Sequence, residues 1–582
     1  MIYRRNFLNI SLRQIFLLSI SIIFFVLLYQ FYKIQIGEFE KYNAKGSHNS
    51  LRRFIKTAPR GIIYDRNNIP IVDNRPTYSL SLIPFDAKDN FNYSLLHNIT
   101  NIDSLLLKNL IVKHSNNRSK FKPQVIKNHI NFKERSIIDE YKLDFPGIHF
   151  TSFPARTYPS QAKLSHVLGY LRKVNQSILD VDVNDEYKMG DVFGYAGIEK
   201  VYEKQLKGDD GVEFHVIDID GVDHGVLKTK NDYPVISGDS LKLSIDVNMQ
   251  SLSEKLLGEY KGAIICMNPY NGDIYSLVSA PTFNLDSFIG PIPLSEWEKL
   301  SNNLDNPLLN RTIQGLYPPG SVFKLILAAY ALENQIVDDD WHIDCKGAMD
   351  YGDRTFKCWN QAGHGKINLS SSIINSCNIF YYNLIQKIKF SSWTKIVEDF
   401  GFGKKTGIDL PNEKYGIVPS VEYMNSRHGK WGWGKGSLLN FAIGQGDVLA
   451  TPAQIIQIIN AIATNGKIYR PRISMHLNPT YKTLNLSSNT WGEIKKSIYK
   501  AVNSDFGTGW RAKLNLKRGK VYGKTSTSQN PHGDTHSGFA GYIDLDGENL
   551  LSVAIIVEHG GKGSGISAEI ANQLFHYYSK NY

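Results

Sequence analysis

The hydrophobic pattern along the chain changes character three times. Between positions 14 and 32 no charged residue occurs, a run of nineteen that suits one helix crossing a bilayer core of about 30 Å. From about 34 to 234 short apolar stretches alternate with charged turns and Asn-rich patches, and no cluster there points to catalysis. Gly238-Asp239 then opens a different texture. Residues 241–245 alternate as a strand does, 247–260 reads as a helix, and 262–267 and 274–279 read as paired strands across Asn268-Pro269-Tyr270-Asn271-Gly272. Pro318-Pro319-Gly320 precedes an apolar helical stretch over 321–332, which puts Ser321 in the first turn of a buried helix. Near the C-terminus 520–528, 539–544 and 550–558 read as strands, the last two joined by Asp544-Leu-Asp-Gly-Glu-Asn549, and 567–578 as a helix over one sheet face. The expected fold class is α+β, with helices packed against an antiparallel sheet.

At 582 residues the chain exceeds one hydrophobic core, so several folded units are expected: a stub (1–13), an anchor (14–32), a non-catalytic region (33–235) and a catalytic domain (236–582). The 14–32 segment is an uncleaved anchor rather than a signal peptide, because Leu27-Leu28-Tyr29-Gln30-Phe31-Tyr32 offers no small-residue cleavage site. Orientation does not follow from charge, since Arg4, Arg5 and Arg13 precede the span while Lys33, Lys41, Lys45, Arg52 and Arg53 follow it. The net charge of +11 comes from scattered Lys and Arg, which fits solubility and a membrane-surface bias. No zinc finger, RNA-recognition signature or basic-aromatic platform is present, which sets nucleic acid aside as a partner.

Candidate chemistry starts at Ser321 and Lys324. Residues three apart on a helix share a face, so a hydroxyl and an amine meet there. The amine serves as a base only when burial or nearby positive charge depresses its pKa, and the apolar helix supplies burial. The helix N-terminus also presents N–H groups where acyl-transfer charge develops. Taken alone, Ser-x-x-Lys is a weak pattern, and a surface serine beside a solvated lysine explains it equally well. Two further elements follow in chain order, Ser376-Cys377-Asn378 and Lys524-Thr525-Ser526. Ser-x-x-Lys, Ser-Asp-Asn and Lys-Thr-Gly in this order mark penicillin-binding proteins and class A β-lactamases. In such a grouping Ser376 relays a proton between Lys324 and the leaving amine, and the Asn378 amide holds the substrate backbone. Lys524 with the Thr525 and Thr527 hydroxyls receives a substrate carboxylate along a strand edge. The N–H groups of Ser321 and Thr527 form the oxyanion hole. No cofactor is needed, and the motifs place no water-activating carboxylate.

The chain resembles the class B penicillin-binding proteins, and more narrowly the elongation type, penicillin-binding protein 2. Beyond the three motifs the similar stretches are Arg60-Gly-Ile-Ile-Tyr-Asp-Arg66, His166-Val-Leu-Gly-Tyr170, Gly197-Ile-Glu199, Tyr317-Pro-Pro-Gly-Ser-Val322, Gly363-His364-Gly365 and Ile443-Gly-Gln-Gly446. The resemblance implies a serine β-lactamase-like transpeptidase domain, an elongated mainly-β pedestal, a single-pass anchor in the inner membrane and a catalytic part in the periplasm. It implies peptidoglycan stem peptides as substrates, acylation by β-lactams, and work beside a RodA-type glycosyltransferase and other elongation-complex membrane proteins. Alternatives are water as acceptor, giving a D,D-carboxypeptidase or β-lactamase-like hydrolase, and a sensor or catalytically impaired scaffold. The third motif departs from the family pattern because Ser526 replaces its glycine; strand alternation turns Ser526 to the cleft wall, where a side chain crowds the site, and because serine is small the expectation is tolerance with slowed acylation.

Cys345, Cys358 and Cys377 bracket His364, and Cys377 lies inside the second motif. Three thiolates and an imidazole suit a structural tetrahedral zinc, a reading that the elongation-type relatives favour. A Cys345–Cys358 disulfide is the rival. Cys266 reads as core, and His532, His536 and His559 lack partners at useful spacing.

Overall fold

The computed structural model describes residues 11–38, 51–87, 91–115, 123–180, 187–217, 223–227, 233–290, 292–338, 340–515, 519–530 and 533–582. Arg4, Arg5, Lys41, Lys45 and His532 lie outside them. The apolar run forms a 21-residue helix, Leu12–Tyr32, with no buried residue, continued by one π turn over Lys33–Gly37. At 1.5 Å per residue the helix spans about 31 Å, enough for a bilayer core.

The chain divides into two compact units, the first of which includes this helix. The first draws on Met1–Pro59, Pro76–Pro154 and Asp209–Ile236, and the second on Arg60–Arg75, Ala155–Gly208 and Ser237–Tyr582. The stretch 33–235 is therefore shared between both. In the first unit Leu51–Lys56, Gly211–Ile217 and Asp223–Val226 form an antiparallel sheet. Beside its strands this unit includes the helices Tyr93–Thr100, Ser104–Ser115 and Phe132–Glu140 and a small core with Leu80, Leu82, Leu96, Ile138 and Phe145.

The second unit is built on a five-stranded antiparallel sheet. In chain order its main elements are α1 (Val247–Leu257), β1 (Gly262–Met267), β2 (Ile274–Ala280), α2 (Lys324–Glu333), α3 (Asn378–Ile385), α4 (Pro452–Ala463), α5 (Ser488–Asn503), β3 (Lys520–Ser528), β4 (His536–Asp544), β5 (Leu550–Val557) and α6 (Ile566–Asn581). The strand order is β2-β1-β5-β4-β3, which leaves β3 at an edge. The two-residue period of the strands sorts their side chains between two cores. Ile265, Leu277, Ala540 and Ala554 join the core of α2 and α4, whereas Ile264, Val278, Phe539 and Ile555 join that of α6. Every residue of α4 is buried, and a Thr451–Gln454 capping box with Pro452 in the first turn starts it.

Within the same unit the family-like stretches far from the motifs meet. Arg60 reaches Glu199 at 2.7 Å and Glu203 at 2.6 Å, and Arg156 reaches Glu199 at 2.8 Å. Burial opposes the Arg60 charge, yet the two carboxylates outweigh it and hold its pKa above the ordinary value.

Candidate active site

Ser321 lies on a 3-10 turn, Gly320–Val322, that leads directly into α2, rather than on the α-helix itself. The cause is local. Pro318 and Pro319 have no N–H to give, and Gly320 takes φ +57, a left-handed value that glycine adopts without steric cost. Ser321 is half-buried, and among the described residues its hydroxyl accepts or donates no hydrogen bond.

Lys324, the first residue of α2, is fully buried. Its Nζ donates to Asn378 Oδ1 at 2.7 Å and Ser376 O at 2.9 Å, with Ser376 Oγ at 3.4 Å. The first two motifs therefore meet at this ammonium. Burial pushes its pKa down to about 8, against the opposing pull of the Cys377 and Cys358 sulfurs. Ser376 has φ +54, sparsely populated by residues with a side chain, and the turn it makes starts α3 at Asn378.

The third motif runs along the edge strand. Lys524 is buried next to Lys324, and burial first, then that neighbouring charge, lowers its pKa well below the lysine range. Among the described residues its Nζ makes one hydrogen bond, a long one to Thr508 Oγ1 at 3.5 Å. Register pairs Lys524 with Ala540 and Ser526 with Gly538, so both face the α2 side, while Thr525 opposes Phe539 and faces the other way. Thr527 is exposed, and its Oγ1 accepts the Gly563 N–H at 2.9 Å. The Thr527 carbonyl accepts from Gln445 Nε2 at 3.1 Å, and Gln445 Oε1 accepts the Gln529 N–H at 3.3 Å. In an antiparallel strand the N–H and C=O of one residue point the same way, so the Thr527 N–H also turns away from β4.

Ser526 does not intrude into the cleft. Its buried Oγ donates to Pro319 O at 2.8 Å, and Ser528 Oγ donates to Pro318 O at 2.6 Å. Neither contact is visible in the chain, because each joins residues more than 200 positions apart. Gln445 lies in the family-like Ile443-Gly-Gln-Gly446 stretch, which is the one signal that pointed to it. His536 and His559 pack edge to face, with the His559 N–H donated to His536 Nδ1 at 3.1 Å. Tyr317 and Arg311 both donate to Glu558 Oε1, at 2.7 and 2.9 Å, in a polar cluster beneath the nucleophile turn.

Cys345, Cys358, His364 and Cys377 converge, with one ligand atom from each lying within 4.8 Å of the others, and all four cysteines of the chain are thiols. His364 Nδ1 is 3.6 Å from Cys345 Sγ and 3.5 Å from Cys358 Sγ. A tetrahedron with Zn–S near 2.3 Å and Zn–N near 2.0 Å has edges of about 3.5–3.8 Å, so the donor set fits that ion in type and size. Cys358 and Cys377 share a proton: the hydrogen bond from Cys377 lowers the Cys358 pKa, and that of Cys377 rises. The cluster touches the second motif directly, because Asn378 N donates to Cys358 Sγ at 3.4 Å. Cys266 is fully buried in β1.

A hydroxyl on a tight turn, a neutralisable lysine behind it and an edge strand with outward N–H groups define a serine acyltransferase of the penicillin-recognising class. Comparison with known proteins makes the assignment narrower. The family described as penicillin binding protein transpeptidase domain matches residues 262–576, and the penicillin-binding protein dimerisation domain matches 55–243. A peptidoglycan D,D-transpeptidase MrdA of Acinetobacter baumannii is 29% identical over 574 residues, covering 94% of this chain and 84% of its own. Penicillin-binding protein PBP2 of Helicobacter pylori, solved in complex with MreC, superposes with a TM-score of 0.75 at 28% identity, over 90% of this chain and 99% of that one. A chain of a peptidoglycan synthase complex, solved in work on the coordination of polymerization and crosslinking, gives a TM-score of 0.74 at 25% identity, over 97% and 98% of the two chains. The chain belongs to the penicillin-binding protein transpeptidase family, and within it to the class B, PBP2-type D,D-transpeptidases.

Proposed function

We propose that this transpeptidase cross-links peptidoglycan stem peptides during cell elongation through an ester on Ser321, and that β-lactams acylate the same residue. The observation that carries the reading is the position of Lys324, buried, depressed to about 8 and bonded to both polar residues of the second motif. Ser321 Oγ attacks the carbonyl carbon of the penultimate D-alanine as its proton passes to Lys324 Nζ. Charge on the carbonyl oxygen meets the N–H groups of Ser321 and Thr527. The tetrahedral intermediate collapses, the C–N bond breaks, and the proton moves through Ser376 to the departing D-alanine amine. The amine of a second stem peptide then attacks the ester, loses its proton to the same relay and returns Ser321 to its starting form. Asn378 holds the donor backbone. Lys524 receives the terminal carboxylate, which restores the charged form that burial disfavours. Thr527 shares the strand face of Thr525, opposite Lys524, so its part is played by the outward N–H, and Thr525 acts through the strand rather than by contact.

Labelling with a fluorescent penicillin tests this reading. The parent takes the label and Ser321→Ala takes none; equal labelling of the two removes Ser321 as nucleophile.

We further infer that Cys345, Cys358, His364 and Cys377 hold a structural zinc. Bound there, it supplies no step of the reaction and ties the 345–377 segment together. Elemental analysis beside a free-thiol count decides: one zinc per chain supports the site, and a cystine without zinc overturns it. The 14–32 segment anchors the chain in the inner membrane, 33–235 serves as pedestal and 236–582 acts in the periplasm. The H. pylori relative solved with MreC and the relative solved in a peptidoglycan synthase complex support elongation-complex partners; the RodA-type glycosyltransferase is proposed from the family resemblance.

A further inference from the structure

The nucleophile is carried by a turn with few means of attachment. Pro318 and Pro319 lack N–H groups, so among backbone groups only their carbonyls are available to fix them. Both carbonyls are taken by hydroxyls of one strand, Pro319 O by Ser526 and Pro318 O by Ser528. Residues two apart on a strand point the same way, so Ser526 and Ser528 of β3 present their hydroxyls together to the consecutive carbonyls of Pro318 and Pro319. On the other side of the turn the Gly320 N–H donates to Gly444 O at 2.9 Å. The turn is thus gripped from two sides, immediately before Ser321.

The volume around Ser526 is shaped for its side chain. A Cβ at Gly320 would lie 2.2 Å from Ser526 Oγ, so the hydroxyl fills space that only glycine at 320 leaves open. Across the strand pair, a Cβ at Gly538 would lie 3.1 Å from the Ser526 Cβ. Both neighbours are glycines where any side chain would press on Ser526. The hydroxyl is buried and fully engaged, and the cleft wall is not crowded by it.

We propose that Ser526, together with Ser528, is a positioning residue for acyl transfer: the two hydroxyls clamp the Pro318-Pro319-Gly320 turn to the edge strand and so fix the spacing between Ser321 and the Thr527 N–H. Residue 526 supplies by its side chain what the glycine of the usual motif cannot. The consequence runs opposite to the crowding expectation, because restoring glycine here slows acylation. The proposal rests on Ser321 being the nucleophile and adds a claim about what holds it.

The test uses the full chain in detergent and a chromogenic or fluorescent penicillin, with the concentration dependence of acylation separating the non-covalent constant K from the first-order acylation rate k2. Ser526→Ala removes the hydroxyl and keeps Cβ, Ser526→Gly restores the family residue, and Ser528→Ala removes the second hydroxyl alone. Each is expected to lower k2 by about three- to tenfold, the worth of one hydrogen bond, with K changed less than twofold. The melting temperature of each variant is measured alongside, and Ser528→Ala serves if a Ser526 variant fails to fold. Unchanged or faster k2 in folded Ser526→Ala and Ser526→Gly overturns the clamp, as does a change confined to K. Loss of label in Ser321→Ala with unaltered Ser526 variants refutes the clamp alone, whereas label retained in Ser321→Ala refutes the nucleophile assignment itself.

Discussion

At the scale of single residues the chemistry depends on Lys324 being able to lose its proton. Its pKa near 8 means that the neutral form, which accepts the Ser321 proton, is fully available above that value and lost as pH falls through it. The acylation rate k2 is therefore expected to rise with pH to a plateau above about 8 and to fall about tenfold per unit well below it, read from penicillin acylation across a pH series. Lys324→Arg should abolish acylation at every pH, because a guanidinium stays charged; a pH-independent k2 would remove Lys324 as base. These residues were legible in the chain because three short motifs in a set order constrain one another. Ser526 was legible as a departure but not as a contact, since its partner Pro319 lies 207 positions away. The inward side of Lys524 and the opposite side of Thr525 and Thr527 follow from the same strand alternation that turns Ser526 inward.

At the scale of elements, strands were easier to read than the helix that supports them. The paired strands at 262–267 and 274–280 and the C-terminal three appear close to where alternation and turn residues place them, with β4 starting three residues earlier, at His536. The helix proposed over 321–332 starts instead at Lys324, because glycine and two prolines impose a 3-10 turn first. Helix α4 does carry a helical period in the chain, with Gln454, Gln457 and Asn460 three apart among isoleucines, yet its polar stripe is buried along with the rest. It packs in the core shared by the sheet and α2, so its shape bears on the site from behind. Ile456→Ala, at a position with no solvent exposure, should cost about 2–5 kcal/mol through lost burial and the cavity left behind. A thermal melt of the full chain should show the midpoint several degrees lower, and an unchanged midpoint would mean that α4 is not integral to this core.

At the scale of the whole molecule, sequence texture and compactness divide the chain differently. Texture changes at Gly238, yet Arg60–Arg75 and Ala155–Gly208 pack into the same compact unit as the catalytic segment. Composition could not show this, because the ties join distant positions: Ile63 pairs with Leu241 in a parallel ladder and the Tyr202 hydroxyl donates to Asp409 Oδ2 at 2.8 Å, while a buried ion cluster joins the two smaller segments to each other. Glu199, only 1% exposed, is the shared counter-charge of Arg60 and Arg156, and Glu203 supports Arg60 alone. Removing the charge of Glu199 leaves Arg156 buried with no carboxylate partner among the described residues, and its pKa is already lowered by burial. A buried charge stripped of its partner costs about 3–5 kcal/mol, far more than a surface pair contributes. Glu199→Gln keeps the size and removes the charge, so its effect reports electrostatics rather than packing. The expected outcome is a lower unfolding midpoint and loss of penicillin-labelling capacity at a temperature the parent survives, with k2 at low temperature unchanged, since no member of the cluster touches the three motifs. An altered k2 in the folded variant would instead show that this cluster sets the geometry of the catalytic cleft.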